Sequence, residues 1–205
     1  MVNSTEKSKQ QLRSYYRQAR RSLSNSEQQQ AEAKLLEQLL SSGTLDNQRH
    51  IAVYLSQDGE ISCQALINWC WHNKVHTYLP VLNPHKAGYL LFLPYTKETK
   101  MKNNQYQILE PVFDPQSAID LDALSLMLMP LVAFDLAGNR LGMGGGFYDR
   151  TLSQKLAKNS PSTRPFPLLC GVAHDCQQAQ RIETQSWDVP VDKIITPSTV
   201  INNAL

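Results

Sequence analysis

Five of the chain's nine glycines lie between Gly138 and Gly146, in the stretch LAGNRLGMGGGFYDRTL (136–152), with Arg140, Asp149 and Arg150 close by. Glycines this dense let backbone N–H groups converge on an anion, and phosphate is the usual one. Arg140 adds a guanidinium fork that matches phosphate oxygens. Asp149 adds a hard oxygen of the kind magnesium shares with phosphates; it reads equally as the salt-bridge partner of Arg140 or Arg150. Two familiar phosphate loops are excluded. The chain has no Gly-Lys-Ser/Thr, so this is not a Walker A loop, and a dinucleotide fingerprint opening at Gly142 would need glycine where Phe147 stands. A plain flexible or hairpin loop is the bland alternative, and the three charged residues argue against it.

Other charged features could serve the same anion. Lys9, Arg13, Arg17 and Arg21 recur every fourth residue, and between Met1 and Arg21 six Lys/Arg stand against one acid, Glu6. Such a stripe is either a solvated basic face or an arm whose first residues fold over a bound anion. In WDVPVD (187–192), Asp188 and Asp192 are each a metal ligand or a cap, and Trp187 reads as a core residue. The SQDGE turn (56–60) leaves Glu60 just past a strand, where a carboxylate accepts hydrogen bonds from a ligand's amino and ring N–H groups. Cys63, Cys70, Cys170 and Cys176 show neither C-x-x-C nor zinc spacing and read as reduced structural thiols. AHDC (173–176) sets His174 near Cys176, but sequence neighbours rarely face each other as a nucleophile and its base must.

Positioning these groups calls for a sheet. Residues 6–40 read as helical with a break at SLSNSE, where Ser24 and Glu27 have capping-box spacing. Short β-rich runs follow at 50–55, 75–82, 89–93, 124–129, 168–173 and near KIIT, with an amphipathic helix at 63–74. Strand, helix, strand at this spacing predicts an α/β fold: a mostly parallel sheet flanked by helices, preceded by an N-terminal helical arm. The whole of 1–205 is expected to be one domain, with 1–45 as the arm. Ligands of such sheets sit beyond the carboxyl ends of the strands, where both the glycine stretch and SQDGE fall. At 41% hydrophobic and 19% charged residues the composition is that of a folded soluble protein. The net charge of +2 is too small for a nucleic-acid binder, and the polar start lacks the core of a secretory signal. LSLMLMPLVAF falls short of the ~20 residues that span a bilayer. The expectation is a cytoplasmic monomer that engages small molecules, not nucleic acid or membrane.

Taken in order, the motifs resemble those of the 5-formyltetrahydrofolate cyclo-ligase (methenyltetrahydrofolate synthetase) family. The resemblance runs through Lys9, Leu12 and Arg13 of K-x-x-L-R, then VYLSQDGEIS, YLPVL, ILEP (108–111), MPLVAFDLAGNRLGMGGGFYDR (129–150), GVAHDCQ and WDVPVDKIITP. It implies an ATP- and magnesium-dependent ring closure of 5-formyltetrahydrofolate to methenyltetrahydrofolate, releasing ADP and phosphate without a protein nucleophile. Carried over by position, it makes Lys9 and Arg13 the arm that touches ATP. Arg140, Leu141, Gly142, Met143, Gly144, Gly145, Gly146, Phe147 and Tyr148 become the ATP phosphate loop, with Met143 to Phe147 also bordering the folate. Leu55 and Glu60 match pterin-contacting positions, Asp149 and Asp188 magnesium positions. Arg140, Asp149 and Lys9 would carry the catalysis. Two departures stand out: many members read G-x-G-K-G-Y-Y-D, where this chain has Gly145 for the lysine and Phe147 for the first tyrosine. On this reading Lys9 takes over part of the missing loop lysine's load. The rivals are a non-catalytic nucleotide or folate sensor and a sugar-phosphate isomerase with a similar sheet.

Overall fold

The computed structural model describes residues 8–158 and 167–203, so the expected helical start at residues 6 and 7 lies outside the described residues. Helix α1 (Lys9–Arg21) opens on Ser8, which forms a capping box with Gln11. The chain breaks at Ser22–Ser24, where serine hydroxyls compete with helical hydrogen bonding. Helix α2 (Asn25–Ser41) restarts on the Ser24–Glu27 box that the spacing predicts. There follow β1 (His50–Ala52), α3 (Gln64–His72), β2 (His76–Leu82), β3 (Leu90–Tyr95) and the hairpin of β4 (Met101–Asn103) and β5 (Leu109–Pro111). Then come β6 (Leu126–Pro130), a second hairpin of β7 (Ala133–Phe134) and β8 (Arg140–Leu141), α4 (Phe147–Lys158), β9 (Leu168–Val172), β10 (Lys193–Ile195) and β11 (Val200–Asn202). The sequence reading lacks the two hairpins, β11 and helix α4, which starts directly after the glycines.

The seven-stranded sheet has the order β11-β10-β9-β6-β1-β2-β3. Its five inner strands are mutually parallel, and only the edges, β3 and β11, run antiparallel. This is the expected α/β architecture. Side chains alternate across a strand, so Leu126 and Leu128 of β6 pack on one face with Leu35 and Leu39 of α2 and Ile67 of α3. Met127 and Met129 pack on the other with Leu152 of α4 and Ile194. A third cluster seats α1, with Leu12 and Tyr16 against Val132, Leu141, Ala179 and Ile182. Cys63, Cys70 and Cys170 are buried and unpaired, whereas Cys176 is exposed.

Trp187 is not a core residue: it is 66% exposed. The turn closed by Asp188 N–H donating to the Gln185 carbonyl turns it outward, and Val189 and Val191 fill the core instead. No helix among the described residues is long and apolar enough to cross a membrane. A groove of about 870 Å³ lined by Trp71, His76 and Tyr95 lies at the amino ends of the strands, away from the glycine stretch.

The turn after β1 is where α1 meets the sheet. Gly59 has φ +74, and a Cβ there would stand 3.0 Å from the Arg20 carbonyl oxygen and 3.2 Å from the Arg21 Cα. Those are backbone atoms and cannot swing aside. Gly59→Ala is therefore expected to cost about 1–3 kcal/mol, read as a melting temperature lowered by several degrees. An unchanged melting temperature would contradict this account of the turn.

Candidate active site

The basic stripe of α1 is not a solvated face. Arg17 Nε donates to Asp58 Oδ2 at 2.8 Å, Arg20 Nη2 donates to the same oxygen at 3.0 Å, and Arg21 donates to Oδ1. Arg20 is wholly buried. It also donates to the Asp58 carbonyl at 2.9 Å, to the Leu131 carbonyl at 3.1 Å and to Glu60 Oε1 at 3.4 Å. Burial would raise the Asp58 pKa, but the three guanidinium hydrogen bonds outweigh it and hold the carboxyl at about 2. Burial raises the Glu60 pKa, with Arg20 opposing. Arg20 lies one residue off the Lys9–Arg13–Arg17–Arg21 series and escaped the sequence reading. Its signal was there: Leu12, Tyr16 and Arg20 are the buried residues of α1, an i, i+4 apolar stripe that an arginine continues.

The docked helix carries Arg13 to the glycine loop, where its Nε donates to the Gly142 carbonyl at 2.8 Å. From the far side, Arg150 donates Nη2 to the Gly145 carbonyl and Nε to the Gly88 carbonyl, the latter at 2.9 Å. The Gly146 carbonyl accepts the Arg150 N–H, and the Phe147 carbonyl accepts the Thr151 hydroxyl. The carbonyls of Gly142, Gly145 and Gly146 are thus spoken for. Among the described residues, no acceptor is bonded to the N–H groups from Gly142 to Asp149. Gly144 (φ +95) and Gly146 (φ +64) give the loop its turn in a region that side chains resist. Because α4 starts at Phe147, the free N–H groups sit at the positive end of a helix dipole.

Arg140, at the start of β8, donates to Asp149 Oδ1 at 2.5 Å and to the Val189 carbonyl at 2.9 Å, leaving a buried Nε without an acceptor. The Val189 N–H donates to the same Asp149 oxygen at 3.1 Å. The salt bridge read for Asp149 is formed with Arg140 and, among the described residues, not with Arg150. Lys9 Nζ lies 3.7 Å from Asp188 Oδ2, which also accepts the Gln185 N–H at 2.8 Å. Asp149 Oδ2 and Asp188 Oδ1 accept no protein hydrogen bond among the described residues. Those residues include no group of three or more His, Cys, Asp or Glu side chains able to hold a metal. The hairpin that delivers Arg140 is set by Asp135, 2% exposed, whose oxygens accept the N–H groups of Ala137, Asn139 and Ile182 and the Asn139 amide. Sequence reasoning passed over Asp135.

Tyr148 turns its hydroxyl inward, where burial and then the Glu60 carboxylate push its ionisation up. The first strand's loop and the glycine loop therefore face each other, with half-buried Leu55 at the end of β1. The Phe147 ring meets Tyr106 edge-on at 6.1 Å. Asp192, the other candidate carboxylate, accepts the Leu169 N–H at 2.7 Å and serves the sheet. His174 is buried, burial lowers its pKa to about 4, and among the described residues its ring makes no hydrogen bond to the exposed Cys176.

Residues 5–197 match the model of the 5-formyltetrahydrofolate cyclo-ligase family. The chain belongs to that family. It is 43% identical over 187 residues to the 5-formyltetrahydrofolate cyclo-ligase of Haemophilus influenzae, covering 91% of this chain and 96% of that one. It is 40% identical over 184 residues to that of Escherichia coli, covering 90% and 97%. The NMR structure of Aquifex aeolicus 5,10-methenyltetrahydrofolate synthetase superposes with a TM-score of 0.77 at 26% identity, over 96% of this chain and 93% of that one. The expectation of an enzyme of the cyclo-ligase class therefore stands, and neither the sensor nor the isomerase reading finds support.

A pH dependence follows from Asp58. Its carboxyl titrates at about 2 in the folded chain against 3.8 ordinarily, so it stabilises the fold above about 4 and loses that contribution as pH falls towards 2. The melting temperature should drop over this window, and Asp58→Asn, already less stable at neutral pH, should lack that part of the drop. Parallel acid profiles for the two proteins would show that Asp58 is not the titrating anchor.

Proposed function

We propose that the chain closes 5-formyltetrahydrofolate to 5,10-methenyltetrahydrofolate at the expense of ATP, and that the glycine loop holds the nucleotide's phosphates. The formyl oxygen attacks the γ-phosphorus and the bond to ADP breaks. The neighbouring folate nitrogen then attacks the formyl carbon and gives up its proton, and the carbon–oxygen bond breaks as phosphate leaves with the formyl oxygen. Such transfer asks for positioning and charge neutralisation more than for a protein nucleophile. The observation that carries the reading is the sorted polarity of the loop, with carbonyls bound by arginines and N–H groups left for an anion.

In this reading Lys9 and Arg13 reach the phosphates from α1, and Arg140 presents its unsatisfied Nε to a phosphate oxygen. The stretch Leu141 to Tyr148 lines the nucleotide, Met143 to Phe147 also border the folate, and Leu55 and Glu60 hold the pterin. Glu60 is 12% exposed and within reach of Arg20, so it is a fixed acceptor for ring N–H groups. Asp149 and Asp188 each keep one uncommitted oxygen, which suits a magnesium ion that takes its other ligands from phosphate and water. Magnesium bound there would supply charge neutralisation at the transferred phosphoryl.

The direct experiment mixes the protein with ATP, magnesium and 5-formyltetrahydrofolate and follows methenyltetrahydrofolate absorbance. ATP-dependent growth of that absorbance is expected; binding of both ligands without turnover would overturn the proposal. Asp149→Asn should reduce kcat by about two orders of magnitude and weaken the magnesium dependence with the fold retained by circular dichroism. Turnover close to that of the unaltered protein would remove Asp149 from the reaction. Glu60→Gln should raise the folate KM about tenfold, equivalent to one lost charge-assisted hydrogen bond, while ATP KM stays within about twofold. Equal losses for both substrates would reduce Glu60 to a structural turn residue.

A further inference from the structure

The cations around the glycine loop differ in what already neutralises them. Arg140 has Asp149 at 2.5 Å, Lys9 has Asp188 at 3.7 Å, and Arg17, Arg20 and Arg21 share Asp58. Two arginines that touch the loop have no carboxylate partner among the described residues: Arg13 and Arg150. Arg13 already belongs to the proposed nucleotide arm. Arg150 does not.

Arg150 leaves the first turn of α4 and folds back over the loop. Its Nε and Nη2 are held by the carbonyls of Gly88 and Gly145, and its guanidinium lies 5.5 Å from the centre of the Phe147 ring. A Cβ on Gly146 would stand 2.8 Å from Nη1, so that nitrogen lies against the loop backbone. Among the described residues Nη1 donates to no acceptor. It is a positive end, pre-aimed by two hydrogen bonds, beside free N–H groups that favour an anion.

Position 145 is crowded by the same ring. A Cβ on Gly145 would come within 2.8 Å of the Phe147 ring, the ring that lies beneath Arg150. A side chain at 145 would have to push that ring aside.

We propose that Arg150 is a further nucleotide-binding residue, its Nη1 gripping the phosphates that ATP and ADP share across the glycine loop from Arg13. This rests on the ATP reading of the loop. The test compares Arg150→Gln, which removes the charge, with Arg150→Lys, which keeps it, measuring kcat and the KM values of both substrates, ADP affinity by calorimetry, and melting temperature. In Arg150→Gln, kcat/KM for ATP and ADP affinity should fall about tenfold or more, with the folate KM within about twofold. Arg150→Lys should recover part of the loss, because a point charge replaces a fork. Equal losses in Gln and Lys variants, or equal losses for ATP and folate with a lowered melting temperature, would make Arg150 a clip between the loop and Gly88 and overturn the proposal. If the unaltered protein bound ADP without forming methenyltetrahydrofolate, the cyclo-ligase reading would fail, and ADP affinity alone would decide on Arg150.

Discussion

One carboxylate fixes the geometry of this molecule. Asp58, in the turn after the first parallel strand, receives Arg17, Arg20 and Arg21 from α1. Removing one partner of a buried pair typically costs about 3–5 kcal/mol, because the other charge is left unpaired in a poor solvent. Arg20, with no exposed surface, has that much at stake. Its four acceptors lie in two segments: the Asp58 carboxylate, the Asp58 carbonyl and Glu60 in the turn after β1, and the Leu131 carbonyl after β6. A single guanidinium thus ties α1 to the carboxyl ends of β1 and β6. Everything further along the helix inherits its position from this joint, including Arg13 on Gly142 and Lys9 beside Asp188.

The glycine loop is organised by the same economy of polar groups. Buried or crowded carbonyls need donors, and here arginines supply them from both sides. The N–H groups, gathered at the start of α4, have no protein acceptor among the described residues. On the proposed reading, such a site would stabilise charge that appears during phosphoryl transfer without reorganising, which is the term electrostatic catalysis depends on. Glu60 sits at the other wall, where burial raises its pKa against the opposing pull of the same Arg20 that steadies the arm. The nucleotide and folate halves of the proposed site share one structural root.

Much of this was legible in the chain. Near-continuous apolar runs such as LSLMLM announced buried parallel strands, the Ser24–Glu27 spacing announced the second helix, and the glycine density announced the loop. What escaped was whatever depends on long-range contact. Arg20 hides because a buried arginine looks like any other charge in a basic helix; only its place in the Leu12–Tyr16 stripe betrays it. Asp135 hides because a carboxylate that satisfies a hairpin's N–H groups leaves no periodic trace. Trp187 was misplaced because a short turn overrides the preference of a large apolar side chain for the core. Arg150 was noticed as a charge near the glycines, but its hold on Gly88, 62 residues away, has no sequence signature at all.

Amide hydrogen exchange along α1, in protein without added nucleotide, tests the Asp58 joint most directly. If Asp58 and Arg20 fix the helix to the sheet, the amides from Arg13 to Arg21 exchange with protection approaching that of β1 and β6, and ATP adds protection chiefly around Lys9 and the glycine loop. Exchange of the whole helix at the rate of an unstructured peptide, suppressed only when ATP binds, would contradict it: the arm would then be recruited by the ligand and not positioned by the fold.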